Sequence, residues 1–499
     1  MRNVIVVSKK TDWVYDLDDV EVISAKAYLT DDHYAELRGI RVFNLCRSYK
    51  YQSYGYYVSL LAEARGHKVC PNITTIQDLK SLSITRVISD DIDDMIQRKF
   101  AKLTSEKFTL SIYFGHNVST IYDKLAKQLY SLFPAPFLRA QFVRKKKWVL
   151  QDISMIPITE ISEAHQPYAQ SFSKEFFNKK RHDGARKNLS IYDLAILVNP
   201  EDKEPPSNKK ALQHLVDAAE NCGFNVELIT KEDYSRISYF DALFIRETTS
   251  VNHYTYRFAR RAHTEGMVVI DDPISIVKCA NKVYLSEMLH KARIPTPKTM
   301  IVHKDNKDSV IETLGLPCVL KQPDSCLSQG VVKASTEAEL SEEIDRFLNT
   351  SDLIVCQEFI PTEFDWRIGV LDRTPIFACK YFMAKDHWQI CSWADDKIEH
   401  EWGEARGIPL ADVPDKVIKT AVRAANLVGD GLYGVDLKQV NDKVLVIEIN
   451  DNPNLDAGHE DYILKDKLYK LVMQSFLRRL ELKRQLVVPY PELEKLLLE

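Results

Sequence analysis

The sequence predicts an α/β chain built in several parts, and three observations carry that expectation. In SYGYYVSLLAEARGHKVCP (53–71), Tyr57, Leu60, Leu61 and Ala64 recur at helical spacing. Gly66 then supplies a stop and a β-type stretch follows, the local signature of a βαβ layer. The same unit returns more clearly as YDLAILVNP (192–200), ALQHLVDAAENCG (211–223) and FNVELI (224–229). From residue 276 the rhythm changes to short strands alternating with turns, framed by helices, which reads as α+β.

The elements follow in order. Residues 1–165 form an α/β domain opened by VIVV (4–7), VEVI (20–23) and RVFNL (41–45). Residues 166–190, ending in the basic NKKRHDGARKN, read as a connecting segment. Residues 191–275 add ALFIRE (242–247) and MVVIDDP (267–273) to the second βαβ unit, giving a small parallel-sheet unit. Residues 276–485 begin with a helix over 282–294 and run through PCVLKQ, LIVCQEFI, FDWRIGVL and PIFACKYFM. A helix over about 413–428 and two strands, LYGVDLKQV and KVLVIEIN, follow, joined at NDK as a hairpin. A last helix starts near Tyr462, and 486–499 is a C-terminal tail.

With 499 residues, 45% apolar and 28% charged, the composition is that of an ordinary globular protein. The net charge of −4 with both signs interspersed argues against nucleic acid or membrane as partners, and the basic runs 144–147 and 178–187 read as solvated loops. Nine scattered cysteines form no CxxC, so no zinc framework or redox pair is expected; most read as small buried hydrophobes, and a cytoplasmic setting fits. Only four consecutive apolar residues open the chain, too few for a signal-peptide core.

Residues 429–434, GDGLYG, match G-x-G-x-x-G literally. That fingerprint holds a pyrophosphate only after a strand and at a helix start. Here it follows a helix and precedes a strand, so the glycines read as a helix stop leading into a hairpin. The hairpin carries the chemistry. Asp436 lies in YGVDL; Glu448 and Asn450 lie in VIEIN, two apart and so on one face. Like charges converging in apolar strands need a cation, and hard oxygen ligands suit magnesium. Lys282 and Lys321 supply cations; Lys321 ends the apolar strand PCVLK ahead of the loop QPDSCLSQG, a setting for phosphate contact. No G-x-x-x-x-G-K-[ST] is present, and no Ser-His-Asp, Cys-His or HExxH arrangement competes.

In this order, NKVYLSEMLHKARIPTP, VLKQPDSCLSQGV, VCQEFIPTEFDWRIGV, GVDLK and VIEINDNPNL resemble an ATP-grasp ligase of the RimK-like branch, over about residues 191–480. The first 165 residues resemble the domain found ahead of such modules. The resemblance implies a pre-ATP-grasp unit at 191–275 and an ATP-grasp domain of two α+β lobes at 276–485. It implies that Lys282 and Lys321 bind ATP phosphates. Backbone groups of the hinge Gln357, Glu358, Phe359 and Ile360 would read adenine, Phe359 packing on it, and Asp365 would contact the ribose. Asp436, Glu448 and Asn450 would hold two magnesium ions, manganese being an alternative. Arg367 and Lys380 would act catalytically, neutralising the transferred phosphoryl and the acyl intermediate.

The sequence departs from the family after E-x-N, where a small residue, Pro and Gly are usual. Here the run is Asn450-Asp451-Asn452-Pro453-Asn454, in which Asn tolerates the left-handed conformation. Trp388 in KDHWQICSW points to a more apolar substrate contact. The resemblance implies an ATP-dependent carboxylate–amine ligase that forms an amide through an acyl phosphate. The partners expected are a small-molecule carboxylate and amine, the acceptor being an amino acid, a small peptide or a protein tail, in a chain that could form a homo-oligomer. A glutathione-synthetase-like peptide ligase, a non-catalytic ATP-binding module and a kinase are the alternatives.

Overall fold

The computed structural model describes residues 2–17, 20–37, 39–80, 92–178, 192–324, 330–385, 387–393 and 400–483. Cys326 with the centre of the loop after Lys321, nearly all of the basic run 178–187 and the tail 486–499 lie outside the described residues. The chain divides into two units. One holds residues 1–192 with 233–238, and the other holds 193–232 with 239–499.

The first unit contains a parallel sheet of β1 (Arg2–Val7), β2 (Val20–Ser24), β3 (Ile40–Asn44) and β4 (Lys68–Cys70), in the order β2-β1-β3-β4. Its strands are short apolar runs because both faces are covered. Val4, Val6 and Val42 face one core with Tyr28 and Ala62, while Ile5, Val7 and Phe43 face another with Phe137 and Ile156. An antiparallel sheet follows, made of β5 (Lys107–Tyr113), β6 (Phe137–Arg144) and β7 (Trp148–Met155). The segment expected as a connection is helical over Gln166–Asn178. Its Ala169, Phe172, Phe176 and Phe177 pack into the second of those cores, and Phe176 stacks on Phe114 with ring centroids 4.3 Å apart. The four aromatic or small residues recur at helical spacing, a pattern that the basic residues after them obscure.

The second unit opens with β8 (Tyr192–Leu197), β9 (Phe224–Ile229), β10 (Ala242–Ile245) and β11 (Val268–Ile270), ordered β11-β10-β8-β9, with β8, β10 and β11 pairing in parallel. Next comes an antiparallel sheet of β12 (Thr299–Val302), β13 (Cys318–Lys321), β14 (Val331–Ala334) and β15 (Ile354–Glu358), ordered β12-β15-β13-β14. One of its faces, with Cys318, Leu320, Ile354, Cys356 and Ala334, is covered by the helix Glu337–Leu348 through Leu340, Ile344 and Phe347.

The last large sheet is built from β16 (Phe364–Leu371), β17 (Thr374–Phe382), β20 (Ala405–Ile408), β21 (Leu432–Val440) and β22 (Lys443–Asn450), after the small pair β18 (Cys391–Trp393) and β19 (His400–Trp402). Its order is β20-β17-β16-β21-β22, antiparallel throughout. The helix Asp415–Val428 covers one face, where Val417, Ala421 and Ala425 meet Trp366, Ile368, Val435, Leu437 and Val446. Burial of such side chains contributes about 1.5–3 kcal/mol each for Val, Leu or Ile. The opposite face carries the polar residues.

GDGLYG links that helix to β21, as its flanks predict. Gly431 donates its N–H to the Tyr433 hydroxyl at 3.0 Å, and a Cβ at Gly434 would come within 2.7 Å of Pro453 Cβ and 3.0 Å of Arg367 Cδ. The glycine here makes room for an arginine; it cradles no phosphate.

Candidate active site

Two sheet faces in the second unit supply the charged groups. On the β12-β15-β13-β14 sheet, Val319, Lys321, Lys333, Val355, Gln357 and Thr299 alternate with the buried set and share the other face. On the five-stranded sheet, Asp365 and Arg367 of β16, Asp436 and Lys438 of β21, and Glu448 of β22 share the face away from the helix Asp415–Val428.

A β-bulge decides the last placement. The turn at Asn441–Asp442 closes β21 and β22 in a register that would set Ile447 opposite Asp436. The register shift between Asp436 and Leu437 absorbs one residue of β22, so Glu448 stands opposite Asp436 instead and Asn450 opposite Gly434. Asn450 donates from its amide nitrogen to Asp436 Oδ2 at 3.1 Å.

Each carboxylate here has a cation. Arg367 grips Asp436 with two parallel bonds, from Nε to Oδ1 and from a terminal nitrogen to Oδ2 at 2.9 Å. Lys282 Nζ lies 3.1 Å from Glu448 Oε1. Lys438 Nζ lies 2.6 Å from Asp365 Oδ1 and donates to Thr362 Oγ1 at 2.8 Å. Lys282, Lys321, Gln357 and Arg367 are all buried.

Burial sets the electrostatics, and the partners oppose it. Desolvation pushes Lys321 down to about 8, and Glu448 pulls the other way while Lys282 and Lys438 add to the depression. Burial also raises the Asp436 carboxyl against the pull of Arg367. At Glu448 burial is outweighed by Lys282 and Lys321, which hold it below the ordinary carboxylate range. Asp436 holds Arg367 in its charged form despite burial.

At the hinge, Gln357 donates from its side chain to Thr299 Oγ1 at 3.0 Å. Glu358 pairs with Lys298 through both its N–H and its carboxylate, at 2.9 and 2.7 Å. Phe359 and Ile360 follow, both half-buried; Phe359 meets Trp388 edge-on at 5.8 Å, and Lys333 Nζ lies 5.0 Å above the Phe359 ring. Trp388 therefore belongs with the hinge aromatic.

Lys380 is not brought to this group. The register shift between Gly369 and Val370 adds a residue to β17, which puts Lys380 opposite Trp366 and not opposite Asp365. It lies on the helix-covered face, with Nζ 4.3 Å from the Phe364 ring centre and 5.0 Å from that of Trp366. Arg367 and Lys380, both expected to act catalytically, therefore stand on opposite faces of the sheet.

The run after Asn450 also differs from expectation, because none of residues 450–454 takes a positive φ. It is tied instead to the carboxyl end of β10. Buried Arg246 binds Asn452 Oδ1 at 2.5 Å and the Pro453 carbonyl at 2.9 Å, Asn452 donates to the Glu247 carbonyl at 2.7 Å, and Thr249 donates to Asp451 at 2.8 Å.

Sequence reasoning missed Lys438, Lys333 and Arg246. Lys438 was findable, being two residues beyond Asp436 and so on the same strand face. Arg246 had no local signal, since its partners lie 39 to 207 positions away.

Asp436, Glu448 and Asn450 offer two carboxylates and an amide oxygen, donors that fit magnesium. Among the described residues no cluster of three His, Cys, Asp or Glu side chains is placed to hold a metal, so water and phosphate oxygens would complete such a shell. No helix among them is long and apolar enough to cross a membrane.

Residues 25–171 match the RimK-like ATPgrasp N-terminal domain, and residues 279–380 match the RimK-like ATP-grasp domain. A protein of Vibrio vulnificus named probable alpha-L-glutamate ligase is 28% identical over 231 residues, 46% of this chain and 73% of that protein. Its namesake from Hydrogenovibrio crunogenus is 26% identical over 273 residues, 51% of this chain and 87% of that one. The solved D-alanine–D-alanine ligase of Bacillus anthracis aligns at TM-score 0.46 and 14% identity, over 58% of this chain and 99% of its own.

The chain is an ATP-grasp enzyme of the carboxylate–amine ligase class. Within it, residues 25–171 and 279–380 are the RimK-like N-terminal and ATP-grasp domains. ATP is the nucleotide of the family.

Proposed function

We propose that this enzyme joins an amino-acid carboxylate to an amine, L-glutamate being the first candidate substrate from the names of the relatives. The observation that carries the reading is the pairing of Arg367 with Asp436 beside Glu448, Asn450, Lys282 and Lys321.

Lys282 and Lys321 bind the phosphates of ATP, and Phe359 and the backbone of Gln357, Glu358 and Ile360 receive the adenine. Asp365, held by Lys438, takes the ribose. A carboxylate oxygen attacks the γ-phosphorus, the bond to the β-phosphate oxygen breaks, and ADP leaves. The amine then attacks the acyl carbon, phosphate departs, and the amine proton passes to phosphate or solvent. Asp436, Glu448 and Asn450 would hold magnesium, two ions with manganese as an alternative, which would supply charge neutralisation to the phosphates. Arg367, fixed by two hydrogen bonds, presents its guanidinium to the phosphoryl group with little reorganisation. Positioning and charge neutralisation account for the chemistry, without a general base. The acceptor is an amino acid, a small peptide or a protein tail.

The test is a substrate screen. Purified protein with magnesium, ATP and paired amino acids and peptides, L-glutamate among them, releases ADP and phosphate in step with a new amide mass. ATP binding without amine-dependent turnover across the panel supports the non-catalytic module instead.

A further inference from the structure

The first unit carries a cavity of its own, about 420 Å³ in volume. Its position follows from the sheet order. Strand β1 leads to β2 on one side, and β3 then lies on the other, so β1 and β3 flank the point where the winding reverses. Open parallel sheets receive ligands outside the carboxyl ends of their strands at that point. Ser8, directly after β1, and Arg47 and Ser48, shortly after β3, line this cavity.

The lining chemistry is one-sided. Among the described residues no carboxylate lines the cavity; its walls offer the Arg47 guanidinium, the hydroxyls of Ser8, Ser48 and Ser53 and the Gln52 amide. Arg47 is held in place from behind. Its Nε donates to Asp12 Oδ2 at 2.9 Å and a terminal nitrogen donates to Oδ1, while the Asp12 side chain is only 2% exposed. Its remaining terminal nitrogen makes no hydrogen bond among the described residues, and the side chain stays 47% exposed. Its backbone N–H is tied to Ser8 Oγ at 2.9 Å, which joins the two strand ends. The remaining wall is aromatic, with Tyr54 and Tyr57 exposed at 58% and 38%.

A site that is rich in donors, cationic and lined on one side by phenol rings selects an anion with a flat or apolar body. We infer that the N-terminal unit binds a small molecule bearing an oxyanion, carboxylate or phosphate, at the Arg47 end and a ring or hydrocarbon body against Tyr54 and Tyr57. None of its lining residues is among those proposed to bind ATP, and it is inferred without reference to the ligation chemistry.

The test is calorimetric titration of the full chain with its ATP site filled by magnesium adenylyl imidodiphosphate, using inorganic phosphate, AMP and benzoate as probes. At least one probe binds with Kd below about 1 mM, corresponding to roughly 4 kcal/mol. AMP tighter than benzoate assigns a phosphate ligand, and the reverse assigns a carboxylate. Tyr54→Asp places a carboxylate at the cavity wall, at an exposed first helical position where an acidic residue is well tolerated. It weakens binding at least tenfold with Tm unchanged. Arg47→Met weakens it similarly; if that variant unfolds because Asp12 loses its partner, Tyr54→Asp alone decides. Absence of binding up to about 10 mM for every probe, or equal affinity in Tyr54→Asp, overturns the inference.

Discussion

Arg367 and Asp436 face each other across neighbouring strands, β16 and β21, and are joined by two hydrogen bonds while both are largely buried. Removing one partner leaves an uncompensated charge in a desolvated place. Arg367→Met therefore lowers stability by about 3–5 kcal/mol, and Arg367→Met with Asp436→Leu recovers much of that loss. Urea unfolding of the single and double variants measures the difference, and both remain inactive. Equal stability of the two would show that the pair does not act as a unit.

Lys321 gives a pH signature. Its folded value is lowered to about 8 from the ordinary 10.5, so it is charged below about 8 and neutral above. Phosphate binding favours the charged form. ATP affinity is accordingly level below about pH 7.5 and falls up to about tenfold per unit above about 8, as the complex must take up a proton. Between 8 and 10.5 the unfolded chain holds more protons at this residue, so its contribution to stability rises with pH. Titrations of ATP from pH 6.5 to 9.5 check the first statement, and Lys321→Arg removes the fall.

Lys380 separates the two sheet faces experimentally. It rests on Phe364 and Trp366, away from Arg367. Lys380→Met leaves kcat within about threefold and costs about 0.5–1 kcal/mol of stability through the lost cation–π contacts. A loss of turnover approaching that of Asp436→Asn would return Lys380 to the catalytic group.

Gly434 ties the glycine cluster to the site. Gly434→Ala pushes a methyl against Pro453 and the Arg367 side chain, so Arg367 or the Asn452–Pro453 turn must shift. The expected cost is about 1–3 kcal/mol with a larger fall in kcat than in ATP affinity. Steady-state kinetics beside thermal unfolding separate these effects.

The two bulges mark how far the sequence could be read. Alternation in YGVDLKQV and VLVIEIN, with the turn between them, makes the hairpin legible, and the flanks of GDGLYG exclude a dinucleotide loop. That Glu448 meets Asp436 depends on one residue absorbed in β22, and that Lys380 misses Arg367 depends on one absorbed in β17. Counting from either turn gives the wrong face, because a bulge leaves no composition signal here. The helix Gln166–Asn178 was hidden for another reason. Its apolar stripe packs on Phe43 and Phe114, distant in sequence, and local polarity reads as a connection.

The acyl phosphate is the central claim, and oxygen transfer tests it most directly. An amino-acid substrate found active in the screen is labelled with 18O in its carboxylate, and the phosphate released is weighed by mass spectrometry. The account predicts one 18O atom in phosphate for each amide formed, and the loss of both products in Glu448→Gln. Amide formation with unlabelled phosphate would contradict it.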